Sequence, residues 1–492
     1  MKNLTNTIVI ALAAILVPIS TVQAEMATKD EVLTVAKNWV SLIIQKKGDW
    51  GGSETAQIES IQEFKRGERV IGYFCRVQPK GYIVVSLLKE LAPVKAYSAT
   101  CNLKPEIDEG LTDLIKGKME GILDFLQQQL GPDKLAQSLD TLQVLEINYR
   151  PAWDILAGKL GGMKVVGESG VVAMNYAGGE PLLTSAWHQG QPYNRKCPGP
   201  EPDDDCSEAN CAVGCVPLAG AQVMRYWAWP PGYDWANMPD ECWIGSSEIK
   251  KEAVATLCLM VGINANADYC DGDCSTSAYT YQPGKRDLLE VFEEDFSYSD
   301  EADNRNREDY TALQWWTRIR NNLDENRPLP YRVRKHAIVC DGWQEFWQDG
   351  TYVRQYHMNY GWGDNGSCQD GCNTWYTLDE LHLGGKDIEL MLVQIRPSGS
   401  LGGLLMGKNW LPSYFDQDAV GFDATFSGPY MYRQFLPGVT VKCIGLGGQI
   451  FFEGPLQRLF SIKGTATGGK VAGIQIYNGA INLYENGSLR FH

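Results

Sequence analysis

Eleven of the chain's 14 cysteines fall between Cys197 and Cys372. Only Cys75 and Cys101 precede them, and Cys443 stands alone near the end. This distribution constrains the fold more than any other feature, provided the compartment is known. Residues 1–24 supply that clue. Lys2 gives a positive start, residues 8–17 an apolar core, and Val22-Gln23-Ala24 a small-residue cleavage site. The apolar run is too short to cross a bilayer, and no later stretch is long enough. The expected product is a secreted protein without a membrane span, in the periplasm, at the cell surface or in the medium. In an oxidising compartment most cysteines should pair. Setting Cys215 aside leaves ten in the dense region, which could form five bridges or leave some cysteines reduced in the core, and Cys443 could also pair with any of them. Cys75 and Cys101 could pair with each other. Cys270-Asp-Gly-Asp-Cys274 and Cys368-Gln-Asp-Gly-Cys372 could be read as metal clips. Their spacers and the exported context favour disulfides over zinc, so no metal and no cofactor are expected.

The chain is long for one domain at 492 residues. Its formal charge of −16 argues against a general affinity for nucleic acid or an anionic membrane. Residues 25–165 alternate helical patterns (Val32, Ala36, Trp39, Val40, Ile43; Leu111, Ile115, Met119, Ile122, Leu126) with β-branched, aromatic runs at 69–77 and 81–87. This block reads as α+β and holds no histidine. Residues 166–180 are glycine-rich and read as a linker open to proteolysis. Residues 181–397 show helical patterns at 248–261, 285–295 and 312–325. Strand-like runs follow at 329–334, 337–343, 351–360, 374–377 and 388–395, again α+β. Residues 401–492 hold 16 of the 51 glycines, with hairpin signals at Asn478-Gly479 and Asn486-Gly487. They read as a small all-β module.

Within the second block, Gly214-Cys215 opens a helix-like apolar stretch ending at Trp227. A thiol in the first turn of a helix feels the positive end of the helix dipole, which favours thiolate. A nucleophilic cysteine needs a base and an orienter for that base. Only five histidines exist. His336 begins the apolar run His-Ala-Ile-Val-Cys-Asp-Gly, 121 residues after Cys215, and Asn359 follows 23 residues later. A carboxamide oxygen accepting from the imidazole would orient it for proton transfer. The order Cys, His, Asn is that of papain-type peptidases.

Four segments make the resemblance specific: Trp187-His-Gln-Gly-Gln-Pro-Tyr-Asn, Ala212 to Met224, His336 to Gly342, and His357-Met-Asn-Tyr-Gly-Trp-Gly-Asp. In these the chain resembles streptopain and its relatives, a branch of the papain superfamily secreted as zymogens. Gly81-Tyr-Ile-Val-Val-Ser and Ala96-Tyr-Ser resemble strands of that family's inhibitory propeptide. The resemblance covers roughly residues 28–397. It implies a papain-like fold over 181–397, preceded by an α+β propeptide at 25–165. It further implies Cys215 as nucleophile, His336 as base, Gln189 as oxyanion-hole donor and Asn359 beside the histidine. Tyr360 falls where the family has a tryptophan, and Trp362 is expected to pack nearby. Asp364 replaces a family glycine, and Pro217 and Leu218 replace small residues. The implied activity is hydrolysis of proteins or peptides through an acyl-enzyme, with Cys215 held as thiolate by His336 and with the propeptide as intramolecular inhibitor. Two rival readings are a catalytically inactive binding or adhesion protein on the same fold and a Cys-His acyl transferase. The intact Cys215, His336 and Gln189 disfavour the first. The Cys-His-Asn order and the propeptide disfavour the second.

Overall fold

A computed structural model describes residues 25–130, 145–158, 171–174, 181–202, 204–230, 232–271, 273–348, 351–362, 374–377 and 389–397, together with seven strand segments between 419 and 485. The leader segment, most of the 166–180 linker, Asp364, Cys368, Cys372 and His382 lie outside the described residues.

The N-terminal half begins with α1 (Lys29–Lys47). Thr28 and Glu31 cap it reciprocally, satisfying backbone donors that the first turn leaves open. Gly48 ends it at φ 90°. Four antiparallel strands follow, β1 (Gln57–Arg66), β2 (Arg69–Gln78), β3 (Tyr82–Ser86) and β4 (Val94–Ser98), then α2 (Gly110–Leu130) and α3 (Arg150–Leu156). The patterns at 32–43, 69–77, 81–87 and 111–126 thus give the expected elements. Strand β1 has only Phe64 buried, so its sequence lacks a clear apolar alternation. A short strand, β5 (Val171–Met174), lies inside the glycine-rich linker and pairs with a later strand. There the β-branched pair Val171-Val172 forms a ladder between glycine-rich flanks.

The second half opens with α4 (Cys215–Trp227) and α5 (Glu248–Asn264). A two-stranded ribbon, β6 (Asp268–Tyr269) and β7 (Thr276–Ser277), leads to α6 (Leu288–Glu290), which continues as a π-helical turn over Val291–Asp295. Then come β8 (Asp303–Asn306), α7 (Ala312–Asp324), β9 (Leu329–Val333), β10 (His336–Gln348), β11 (Thr351–Asn359), β12 (Thr374–Tyr376) and β13 (Leu390–Val393). The described C-terminal segments are all strands, β14 (Ala419–Val420), β15 (Tyr432–Arg433), β16 (Thr440–Cys443), β17 (Gly448–Phe452), β18 (Ser461–Gly464), β19 (Val471–Tyr477) and β20 (Ala480–Glu485). Tyr477 of β19 pairs with Ala480 of β20, and the hairpin signals at Asn478-Gly479 and Asn486-Gly487 lie outside the described residues.

One mixed-origin sheet joins the two halves in the order β1-β2-β3-β4-β12-β11-β10-β9-β13-β8, with β5 on β10. The junction is antiparallel, Tyr97 opposite Trp375 and Ala96 opposite Tyr376. Tyr82 Oη and Thr374 Oγ1 meet at 2.8 Å in the buried seam. Aromatic packing crosses it too: Trp39 of α1 lies edge-on to Phe346 of β10 at 4.9 Å. The α+β expectation holds on both sides.

The cysteine pairing differs from expectation. Cys206 bonds Cys274 and Cys211 bonds Cys270, so the Cys270/Cys274 spacing serves two bridges to a distant loop. Cys197, Cys242, Cys258 and Cys340 are buried free thiols. Cys75 is also free, whereas Cys101 is disulfide-bonded, so these two do not pair. Burial explains the free thiols: in a close-packed interior cysteine acts as a small apolar residue, and desolvation pushes Cys75 up to about 12.

Candidate active site

Cys215 is the first residue of α4, as its sequence context suggests. Gly214 precedes it at φ 90°, and a Cβ there would lie 3.0 Å from Thr276 Cγ2 and 3.1 Å from its carbonyl oxygen. Only glycine suits both the conformation and the space. The approach to the helix is held from two directions. Val213 N–H donates to the Gln189 carbonyl at 2.9 Å, and Ala212 N–H to the Cys274 carbonyl at 2.8 Å. Thr276 Oγ1 donates to the Ala212 carbonyl at 2.6 Å. The two disulfides close the same loop onto the β6–β7 ribbon. Behind it, every residue from 216 to 224 is buried, so the thiol stands on a fixed support.

The backbone N–H groups of Ala337, Val216 and Cys215 lie close enough to the thiol to favour its ionised form. The Ala337 contact places it beside His336, the first residue of β10. His336 Nε2 lies 2.9 Å from the Tyr360 carbonyl oxygen. A carbonyl can only accept, so Nε2 carries the proton and Nδ1 is left with its lone pair. The Trp362 ring stacks on the imidazole at 4.0 Å and 17°, and Tyr360 stacks on Trp362 at 5.8 Å. Trp362 therefore packs against the base itself, more than the general packing expected of it.

Asn359 is brought near, one residue before Tyr360, but its carboxamide is not the imidazole's acceptor. Its Nδ2 donates to the Ser185 carbonyl at 2.6 Å, and its Oδ1 accepts from Gly361 N–H at 3.1 Å. The side chain shapes the turn that aims the Tyr360 carbonyl. A main-chain acceptor has no signature in the sequence, which is why a side chain was expected in that place. Gln189 arrives through its carbonyl bond to Val213, so its segment runs beside the nucleophile loop. His188 Nδ1 accepts from Gly190 N–H at 3.2 Å, and residues 188 and 362 form a β-bridge.

Electrostatics oppose a charged resting pair. Burial raises the Cys215 thiol, offset only in part by its three N–H donors. Burial lowers His336 to about 4, against the Tyr360 carbonyl, which favours the protonated ring. The full-length chain thus favours neutral thiol and neutral imidazole, contrary to the expected thiolate–imidazolium pair. Helix α2 packs near the Tyr360 carbonyl that holds the ring. Leu114, Ile115 and Lys118 face Val333, Arg334, Ile338, Met358, Tyr360 and Tyr376 across a small cavity. The bare backbone of Gly117 admits the Arg334 guanidinium, which would clash with any Cβ. Among the described residues no cluster of His, Cys, Asp or Glu could hold a metal, and no helix is long and apolar enough to cross a membrane.

A thiol at a helix N-terminus near a strand-borne imidazole is an arrangement suited to nucleophilic catalysis. Residues 187–232 and 231–371 match the model of the Peptidase C10 family. Over part of its length the chain is similar to known thiol proteases. It is 24% identical over 386 residues to the thiol protease/hemagglutinin PrtT of Porphyromonas gingivalis, a match covering 72% of this chain and 39% of that one. It is 28% identical over 215 residues to streptopain of Streptococcus pyogenes serotype M1, covering 36% and 50%. The chain spans half or less of the length of these relatives. Among solved structures, prointerpain A of Prevotella intermedia aligns over 68% of this chain and 97% of that chain, at a TM-score of 0.45 and 20% identity.

Proposed function

We propose that the chain is a secreted cysteine endopeptidase made as a zymogen. The observation that carries the reading is the imidazole of His336, held through Nε2 by the Tyr360 carbonyl with Nδ1 left to move a proton, at the start of the strand whose next residue, Ala337, lies near the Cys215 thiol at the head of α4. Nδ1 of His336 takes the thiol proton as sulfur attacks the scissile carbonyl of a protein or peptide. The tetrahedral oxyanion is met by the Cys215 N–H and the Gln189 carboxamide. His336 returns the proton to the leaving amine, then activates the water that releases the acyl group. Tyr360 and Trp362 hold and cover the ring, and no cofactor enters.

The domain reading follows the same logic: leader at 1–24, inhibitory propeptide at 25–165, processing linker at 166–180, peptidase at 181–397 and β-rich module at 401–492. While the site stays buried, the neutral pair is favoured. Removal of the propeptide rehydrates the site, and rehydration favours the ion pair. The test is labelling by a thiol-reactive peptidyl epoxide alongside casein hydrolysis under reductant. The uncut chain should label slowly at pH 7 and faster as pH rises, because its thiol is raised. The cut form should label fast at pH 7 and hydrolyse casein. A cut form that neither labels nor hydrolyses casein would instead support the non-catalytic binding protein.

A further inference from the structure

Gln222 is 1% exposed on a helix whose other residues, Arg225 in the last turn apart, are apolar, aromatic or small. A carboxamide is costly to bury unless all its groups are bonded. Its partners form a closed ring. Asn359 Nδ2 must face the Ser185 carbonyl, which can only accept. Asn359 Oδ1 therefore faces Gln222 Nε2 at 3.3 Å, and Gln222 Oε1 faces the Ser185 hydroxyl at 3.0 Å. Ser185 and Asn359 are 4% and 1% exposed, so the ring is sealed from water. In a low dielectric such bonds reinforce one another.

The three residues come from the three segments that build the site. Gln222 lies two turns after Cys215 on α4. Ser185 lies four residues before Gln189. Asn359 adjoins Tyr360, whose carbonyl holds His336. Gly361, at φ 65°, packs where a Cβ would meet Leu218 at 2.7 Å and Gln222 Nε2 at 3.7 Å. We propose that Gln222 is a positioning residue that locks nucleophile, base and oxyanion donor into one register through Ser185 and Asn359. The proposal rests on the peptidase reading.

Its test is kinetics of the processed enzyme, per active site titrated with the epoxide. Gln222→Met keeps length and removes both bonds. It should lower kcat by about 10- to 100-fold, the scale of one or two buried hydrogen bonds, with KM nearly unchanged. The acid limb of the kcat/KM profile should also move, because the Tyr360 carbonyl is less well aimed at His336. Ser185→Ala should show the same pattern in milder form, and Ser185→Thr, which keeps the hydroxyl, should restore it. The double variant Ser185→Ala/Gln222→Met should fall no further than Gln222→Met. If Gln222→Met does not fold, the serine pair carries the test. A kcat per titrated site within about 2-fold of the parent in the folded variants, losses appearing only as fewer titratable sites, would overturn the proposal. A parent enzyme that cannot be titrated would instead count against the peptidase reading.

A separate observation carries a second inference. Residues 1–180 contain only two cysteines, Cys75 and Cys101. Cys75 is a free thiol and Cys101 is disulfide-bonded. We infer that Cys101 bonds a cysteine beyond the linker and tethers the N-terminal half covalently to the rest of the chain. Its place fits that role: Cys101 follows β4, the strand that pairs with β12, and its N–H donates to Ser98 of β4 at 3.1 Å. Linker cleavage alone then leaves the inhibitor attached. Its release also takes two electrons and two protons from a thiol reductant, a dithiol becoming its own cyclic disulfide as the tether becomes two thiols. The probe is the full chain with a site-specific protease site introduced at 166–170. After the cut, the halves should migrate together on a denaturing non-reducing gel and separate with dithiothreitol. Cys101→Ser should separate without it, and peptide mapping of the parent should show a peptide containing Cys101 linked to one from beyond the linker. Separation of the cut parent without reductant, or a Cys75–Cys101 peptide, would overturn the inference.

Discussion

Cys215→Ala and His336→Ala are each expected to lower casein hydrolysis by at least about 10⁴-fold, the scale of losing one member of a nucleophile–base pair. The alanine at 215 should leave the fold intact. The residue opens α4, where alanine is a good helix former, and its support comes from the backbone bonds of Val213 and Ala212 and from two disulfides that stay in place. A pure loss of chemistry with an unchanged melting curve is therefore the signature. His336→Ala should also change acid sensitivity. The folded ring titrates at about 4, below the unfolded value near 6.5. Between those values the unfolded chain binds a proton that the native chain does not. Stability of the full chain is thus fully supported by this group above about 6.5, falls as pH drops through the window and levels off below about 4. The alanine variant lacks that dependence, and urea midpoints taken from pH 7 to 4 would measure the difference. Equal casein hydrolysis by either variant and the parent would falsify the site assignment.

Lys118→Met should loosen the N-terminal half from the half that carries Cys215 by about 3–5 kcal/mol, the cost of leaving one member of a buried ion pair uncompensated. Lys118 on α2 and Glu389 just before β13 are 8% and 1% exposed at their side chains and form a salt bridge across the two halves. Tyr331 Oη donates to the other Glu389 oxygen at 2.8 Å, and the Trp315 indole N–H donates to Tyr331 Oη at 3.0 Å. The carboxylate is thus built into the Cys215 side and stays there when the lysine is lost. Methionine keeps the stem packed against Leu114 and Ile115 but removes the charge. Faster epoxide labelling of uncut Lys118→Met at pH 7 is the expected result. The double variant Lys118→Met/Glu389→Gln should recover part of the slow labelling, because the unpaired charge is gone. Labelling unchanged in the single variant would mean that α2 does not control access to Cys215.

Much of the site was legible because its chemistry sits in side chains with strong local context. The Gly214-Cys215 pair followed by an apolar run announced a helix start with a thiol in it, and α4 begins there. The scarcity of histidines made His336 the evident base, and its apolar flank announced β10. Gln222 also left a trace, a lone carboxamide in a helix that is apolar or small up to Arg225, but nothing local says what it bonds.

The sequence by itself determined most of the elements and marked Cys215 and His336 as candidates, because periodicity, turn chemistry and residue type act over a few neighbours. Tertiary structure alone decided the rest. It chose the Tyr360 carbonyl over the Asn359 carboxamide as the imidazole's acceptor, joined β4 to β12, assigned Cys211 to Cys270 and Cys206 to Cys274, and left five cysteines as buried free thiols beside Cys215. It also reversed the expected charge state, since burial depends on which segments cover a group. Backbone carbonyls are identical at every position, and cysteines carry no label for their partners. Only the packing of distant segments tells them apart.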